Sequence, residues 1–263
     1  MTLPFWKLSG AGNDFVLALR KDLTSRPEPA LARRLCPRRG GVGADGLLVL
    51  DLAARPPRLD HFNPDGSKAF CGNGTRCALA WLHAAKAAGR APALSTAAGL
   101  VEGEVVRWDR RRGRGTLRVG MPEARLLRSG LRLRALGRLF QGELFDTGVP
   151  HLVVRADPGS LLRFGPALRR HPALGPAGAN VDFIRLARGS VSLRTYERGV
   201  EGETLACGTG AVAAALAAKR ASPVRVFTRG GAVLRVFFTQ AGAGWKVSLE
   251  GPAEIVFKGE VAL

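Results

Sequence analysis

Two short stretches carry the same chemistry. Cys71-Gly-Asn-Gly-Thr and Cys207-Gly-Thr-Gly-Ala each set a cysteine directly before Gly-polar-Gly, 136 residues apart. Each then enters an alanine-rich segment of high helical propensity. The first amides of a helix have no partner inside it, and they sit at the positive end of its dipole. Glycines let a ligand approach that backbone closely. Each motif is therefore a candidate cradle for an anion such as a carboxylate. A thiol in the same place is expected to have a lowered pKa. Two such motifs facing one another could grip one carboxylate and work on opposite faces of its α-carbon. One thiol would remove a proton and the other would return one. Two facing thiols could also oxidise together, which leaves a thiol–disulfide redox protein as an alternative.

The remaining chemistry-bearing residues are less promising. Cys36 and Cys77 lack the motif and read as core residues. Zinc is not expected: no Cys-x-x-Cys occurs, and the histidines at 61, 83, 151 and 171 show no ligand spacing. Gly41-Val-Gly-Ala-Asp-Gly46 fits Gly-x-Gly-x-x-Gly literally. A helix-like segment precedes it and a strand follows, the reverse of a dinucleotide site. The net charge of +19 comes almost wholly from arginine, 33 Arg against 7 Lys, spread along the chain. With few aromatics and no nucleic-acid motif it reads as a solvated surface, and no specific nucleic-acid partner is expected. A noncatalytic basic nucleic-acid binder stays as the more distant rival.

The elements that must position the two cysteines are themselves duplicated. Gly43-Ala-Asp45 precedes strand-like Leu47–Leu50, and Gly178-Ala-Asn180 precedes strand-like Val181–Leu186. Ser95-Thr-Ala-Ala-Gly-Leu-Val after the first cysteine matches Phe227-Thr-Arg-Gly-Gly-Ala-Val after the second. Four matches at separations of 132 to 136 residues imply a duplicated unit. Further strand signals lie at Phe15–Leu19, Val101–Trp108, Thr116–Val119, His151–Val154, Ser190–Tyr196, Val233–Thr239 and Trp245–Leu249. Helix signals lie at Pro29–Leu35 and after each cysteine, ending near Gly89 and Pro223. The expected fold is α+β: two pseudo-symmetric α/β halves, each a many-stranded sheet around a central helix, with the site in the cleft between them. The expected halves are 1–118, to which a strand at about 253–263 returns, and 119–252. Four scattered cysteines, no signal-like N-terminus and no apolar run near the roughly 18 residues of a membrane helix suggest a reducing cytoplasm and no membrane partner.

Read together, Ser9-Gly-Ala-Gly-Asn-Asp-Phe15, Phe62-Asn-Pro-Asp-Gly-Ser67, Cys71-Gly-Asn-Gly-Thr-Arg-Cys77, Tyr196-Glu-Arg-Gly199 and Gly202-Glu-Thr-Leu-Ala-Cys-Gly-Thr-Gly210 resemble the diaminopimelate epimerase family. The resemblance runs in order over essentially the whole chain. It implies two similar α/β domains, no cofactor, a small amino-acid substrate and a homodimer. The implied reaction inverts one α-carbon of LL-diaminopimelate to the meso form, used for lysine and peptidoglycan. Carried over by position, Cys207 resembles the proton acceptor in that direction and Cys71 the donor. Gly72-Asn73 and Gly208-Thr209 resemble the carboxylate cradles, and Asn13 and Glu197 resemble substrate contacts. Asn63, Asn180 and Arg198 resemble contacts to the distal amino-acid end. His151 and Glu197 resemble the groups that tune the two thiols. A related two-cysteine racemase with another amino-acid substrate is the near alternative. Three positions depart from the family pattern: Val149 where an asparagine is usual, Gly46 where some members carry glutamine, and Phe257 for a tyrosine associated with dimerisation.

Overall fold

The computed structural model describes residues 2–23 and 27–263. It divides into two units, Met1–Gly120 with Gly251–Leu263, and Met121–Glu250. The first unit runs β1 (Thr2–Gly10), β2 (Asn13–Leu19), α1 (Glu28–Leu35), β3 (Gly46–Asp51), β4 (Arg58–Phe62), α2 (Gly72–Ala84), β5 (Ala93–Thr96) and β6 (Gly99–Asp109). The long strand β7 (Arg114–Ala135) begins in it and continues into the second unit. That unit adds β8 (Arg138–Asp146), β9 (Pro150–Arg155), α3 (Leu161–Arg169), β10 (Asn180–Ala187), β11 (Ser190–Glu197), β12 (Gly202–Thr204), α4 (Gly208–Ala217), β13 (Val224–Phe227) and β14 (Val233–Ala241). The last strand, β15 (Gly244–Ala262), starts in the second unit and ends in the first.

Within the first unit the strands pair in the order β15-β1-β2-β3-β4-β5-β6-β7. The pairs are in turn antiparallel, antiparallel, parallel, antiparallel, parallel, antiparallel and antiparallel. Within the second unit the order β7-β8-β9-β10-β11-β13-β14-β15 repeats that series of directions without change. Strand β12, paired to β11, is the addition. A parallel pair needs a crossover. The crossovers are α1 and α2 in the first unit, α3 and α4 in the second. The duplication read from the two cysteine motifs is thus a duplication of topology.

Alternation along the strands sends successive side chains to opposite faces. Leu47 and Val49 join the core under α1, with Leu31, Ala32 and Leu35. Between them, Leu48 faces α2 and lies 3.0 Å from where a Cβ on Gly74 would sit. In the second unit Val181 and Phe183 pack with Leu161, Phe164 and Leu168 of α3. Between them, Asp182 faces α4. Central strands covered on both faces are apolar throughout, and Leu47-Leu-Val-Leu50 obeys that rule. Asp182 breaks it. Helices α2 and α4 are buried almost end to end, from Gly72 to Leu82 and everywhere but Thr209. A helix buried on all sides has no solvent face to offer, and in α2 the enclosed face includes Asn73, Thr75 and Arg76. The alanines and glycines of both helices let the strands come close.

The two central helices stop earlier than their alanine content suggests. Lys86 (φ 57°) and Lys219 (φ 51°) adopt left-handed backbone just past the helix ends. Their amides bond back to His83 and Leu216, each at 3.1 Å, and turn the chain out of the helix. Helix α3 gave no clear signal because Gly165 and Pro166 interrupt it. Strand β7 extends far beyond Thr116–Val119 through an arginine-rich stretch.

Close packing of α2 on β1 yields a stability test. A Cβ on Gly10 would lie 2.7 Å from Cys77 Sγ and 3.2 Å from the Asn73 carbonyl, whereas one on Gly89 meets nothing within 4 Å. Gly10→Ala is expected to cost about 1–3 kcal/mol through overpacking. Gly89→Ala is expected to be neutral or slightly stabilising. Chemical denaturation of the two variants measures both.

Candidate active site

Each motif cysteine is the N-cap of its helix, and the two caps are nearly superposable in conformation. Cys71 has φ −135° and ψ 111°, and Cys207 has φ −121° and ψ 116°. In both, the Sγ accepts from the amide three residues on, Gly74 or Gly210, at 3.4 Å. The sulfur therefore takes the place of the usual hydroxyl or carboxylate cap. The next amides, of Gly72 and Asn73 and of Gly208 and Thr209, lie in first turns that supply them no partner within the helix.

Around Cys71 the first unit builds a directional chain of amides. Arg76 Nη2 donates to Asn73 Oδ1 at 2.9 Å, and Asn73 Nδ2 donates to Asn13 Oδ1 at 2.6 Å. Asn13 Nδ2 in turn donates to Asp45 Oδ2 at 3.1 Å. The donor at one end and the carboxylate at the other fix which way both asparagines point. Arg76 is wholly buried, its Nε donates to the Pro252 carbonyl at 3.0 Å, and burial lowers its pKa. Asp14 beside this chain is bonded by Lys7 at 2.7 Å and by Arg38 at 2.8 Å. Burial alone would raise the Asp14 pKa. The Arg38 and Lys7 bonds outweigh it and hold the carboxyl at about 2. Asn63, expected at the substrate, sits in a turn where its Nδ2 donates to Ser67 Oγ at 2.9 Å. Gly46 lies against His61: a Cβ there would be 2.5 Å from His61 Nε2, and burial pushes that imidazole down to about 4.

Around Cys207 the second unit builds a polar network instead. His151 Nδ1 lies 2.7 Å from Asp182 Oδ2, and both side chains are completely buried. Thr195 Oγ1 donates to Asp182 Oδ1 at 2.7 Å. His151 Nε2 lies 2.9 Å from Thr209 Oγ1, which is 3.4 Å from Cys207 Sγ. Asn180 Nδ2 is 3.3 Å from the same His151 nitrogen and donates to the Pro150 carbonyl at 3.2 Å. The Asn180 Oδ1 accepts the Arg198 amide at 2.8 Å. Glu197 accepts from Thr204 Oγ1 at 2.5 Å and also shares a hydrogen bond with Cys207. Burial raises the Glu197 carboxyl, against those bonds and the electrostatic pull of the nearby His151. Val149 is half-buried, and its carbonyl accepts the Thr147 amide at 3.2 Å.

Cys207 differs from the simple helix-end expectation. Cys207 has its pKa raised well above the ordinary value, first by burial and then by the Glu197 and Asp182 charges. The Thr209 hydroxyl and Gly210 amide pull the other way and do not prevail. A buried sulfur loses more from water than a helix end returns to it. Cys36 and Cys77 are pushed by burial to about 11 and about 12, as suits inert core thiols. His151 and Glu197, read as tuning the pair of thiols, both belong to the Cys207 environment. Asp182, Thr195 and Thr204 were not singled out in the sequence. The one available signal was an aspartate inside the apolar run Val181-Asp-Phe-Ile184.

The family model described as diaminopimelate epimerase matches residues 5–126 and 144–256. The diaminopimelate epimerase of Aquifex aeolicus is 35% identical over 99% of this chain and 98% of its own. That of Desulforudis audaxviator is 39% identical over 98% and 99%. Among solved structures, a hydroxyproline epimerase from Agrobacterium vitis aligns with TM-score 0.74 at 18% identity, covering 100% of this chain and 93% of that one. A PhzF-family phenazine biosynthesis protein from Bacillus anthracis aligns with TM-score 0.78 at 14% identity over 100% of both. At such identities the structures share the fold.

The Asp14 environment makes a pH prediction. A carboxyl whose folded pKa is about 2 against an ordinary 3.8 stabilises the fold while ionised. That contribution is complete above the ordinary value and fades as the pH falls through the folded one. Asp14→Asn is expected to lower the thermal midpoint at neutral pH, and its gap from the unaltered protein is expected to close from about 4 toward 2. Calorimetry across that range measures the gap, and a gap that stays constant would contradict the assignment.

Proposed function

The chain belongs to the diaminopimelate epimerase family, and from that premise we propose that Cys207 and Cys71 are the two groups that exchange protons with the α-carbon. The protein is an isomerase that inverts one α-carbon of LL-diaminopimelate to give the meso form. In that direction the Cys207 thiolate takes the α-proton. The Cys71 thiol delivers another to the opposite face, and the reverse reaction exchanges the roles.

The observation that carries this assignment is the matched pair of cysteine N-caps, each with its sulfur 3.4 Å from a helix amide and two first-turn amides beside it. An α-proton is very weakly acidic, so charge developing on the carboxylate must be stabilised by fixed donors. In this reading the amides of Gly72, Asn73, Gly208 and Thr209 are those donors, each contributing about 3 kcal/mol. Asn13 and Asn73 have their orientation fixed by Arg76 and Asp45. Asn63, Asn180, Glu197 and Arg198 receive the remaining polar groups of the substrate. The Arg198 guanidinium suits a carboxylate, which it can hold by two bonds. The same reading sets the enzyme in the cytoplasm as a homodimer supplying lysine synthesis. Among the described residues no helix is long and apolar enough to cross a membrane.

Replacing either thiol tests the assignment. Serine has nearly the right size but is a far poorer acid and base at neutral pH. Cys71→Ser and Cys207→Ser are each expected to lose roughly 10²–10⁴-fold in kcat. Cys36→Ala is expected to retain it. Chiral chromatography of the diaminopimelate isomers measures all three, and near-normal activity in either serine variant would overturn the two-thiol assignment.

A further inference from the structure

Asp182 is a carboxylate in the middle of a central strand, with Val181 and Phe183 packed into the α3 core on either side of it. Its side chain is completely buried on the face toward α4. Burying such a group is expensive unless it is fully bonded, and both oxygens are. Oδ1 accepts from Thr195 on β11, and Oδ2 meets His151 Nδ1 on β9. Little room is left over: a Cβ on Gly210 would lie 2.7 Å from Asp182 Oδ1 and 3.3 Å from His151 Cε1. A leucine at this strand position would serve packing better, as Leu48 does in the first unit.

We propose that Asp182 is a positioning residue of the epimerase: it holds His151 with Nε2 as a proton acceptor toward Thr209, so that Cys207 can give up its proton through the Thr209 hydroxyl. The inference rests on the reading of Cys207 as a base. A carboxylate facing Nδ1 makes that nitrogen the N–H donor of the neutral ring, and Nε2 then carries the lone pair. Asn180 Nδ2, which can only donate, lies 3.3 Å from Nε2 and agrees with this tautomer, and the Thr209 hydroxyl at 2.9 Å is then the second donor to it. The Thr209 oxygen, having turned its own hydrogen to His151, is left to accept the Cys207 S–H across 3.4 Å.

The step balances without any outside group. The Cys207 proton moves to Thr209 Oγ1, and the Thr209 proton moves to His151 Nε2. Thiol and neutral imidazole become thiolate and imidazolium, and threonine is unchanged. Asp182 stabilises the imidazolium so formed, as a buried carboxylate does for a histidine base. This answers a difficulty of the site, since a buried thiol between Glu197 and Asp182 otherwise holds its proton. The titratable or charged groups around the sulfur are His151 on β9, Asp182 on β10, and Glu197 on β11. Glu197 bonds Cys207 directly and is the competing acceptor.

Asp182→Asn keeps the volume and removes the charge. An amide can donate to Nδ1 and so reverse the ring tautomer, leaving Nε2 without its lone pair. For the full-length protein, kcat is expected to fall roughly 10–100-fold with KM little changed. The thiolate of Cys207 is read by ultraviolet absorbance against pH, as the difference between each protein and the same protein carrying Cys207→Ser. The Asp182 charge by itself raises the Cys207 pKa, so a purely electrostatic role would lower the midpoint in Asp182→Asn and overturn the proposal. With the imidazole acceptor lost, the variant is expected instead to show about tenfold less thiolate at a given pH, a midpoint about one unit higher. Should that variant not fold, Thr209→Val breaks the chain at a less buried point and is expected to lower both readouts, while Thr209→Ser restores them. Unchanged titration and kcat in Asp182→Asn, or in Thr209→Val if that variant is needed, would overturn the proposal. So would a titration that moves in Glu197→Gln but not in Asp182→Asn, which would give the role to Glu197. The titration needs no substrate, so a failure of the enzyme to turn over diaminopimelate would be seen separately from a failure of the relay.

Discussion

The site depends on how a fully buried helix ends. Helices α2 and α4 are enclosed along nearly their whole length, so their first amides cannot all turn to water. A cap must satisfy one of them, and the cap is a cysteine whose sulfur accepts the third amide. The same enclosure supplies the chemistry. Two more first-turn amides beside each thiol have no partner within the helix, and burial surrounds the Cys207 thiol with low dielectric. Burial strengthens bonds to a carboxylate and at the same time makes the thiolate costly. The polar groups near Cys207 are needed because of that cost.

Duplication explains why there are two such places, and divergence explains why they differ. The strand pairings of the units repeat in order and direction, so the two motifs lie at equivalent points of the same topology. Their surroundings do not repeat. The second glycine of the first motif lies against Leu48 and Phe15, and that of the second lies against Asp182, Thr195 and His151. Beside Cys71 the polar groups are amides held in one orientation. Beside Cys207 they are groups that can take up a proton. An inversion with two thiols needs one able to lose a proton while the other keeps its own, and the groups beside Cys207 bear on that division.

Much of this was legible in the sequence, and the exceptions have physical causes. The repeated Cys-Gly-x-Gly, its alanine-rich continuation and the matched strands carry strong local signals, because caps, glycines and propensity act within a few residues. Asn13, Asn73, His151 and Glu197 came from resemblance. Asp182 and Thr195 did not come forward, since their partners are on neighbouring strands and no spacing along the chain reveals cross-strand contacts. Helix α3 stayed hidden because Gly165-Pro166 looks like a turn. The complete burial of Arg76 has no signal in its local sequence either. The thiol pKa was misjudged for a related reason. A helix end is visible in sequence, whereas the burial that outweighs it is a property of the folded whole.

The central claim is that one thiol takes the α-proton and a different thiol returns one. The most direct measurement follows LL-diaminopimelate in heavy water by proton NMR, with the enzyme first equilibrated in that solvent. With two separate groups, the first meso product carries deuterium at the inverted α-carbon, because the donating thiol has already exchanged with solvent. The substrate not yet converted still carries its original hydrogen at that stage. If the first product instead retains the substrate's hydrogen, or unreacted substrate gains deuterium as fast as product forms, a single group is handling the proton and the account is contradicted.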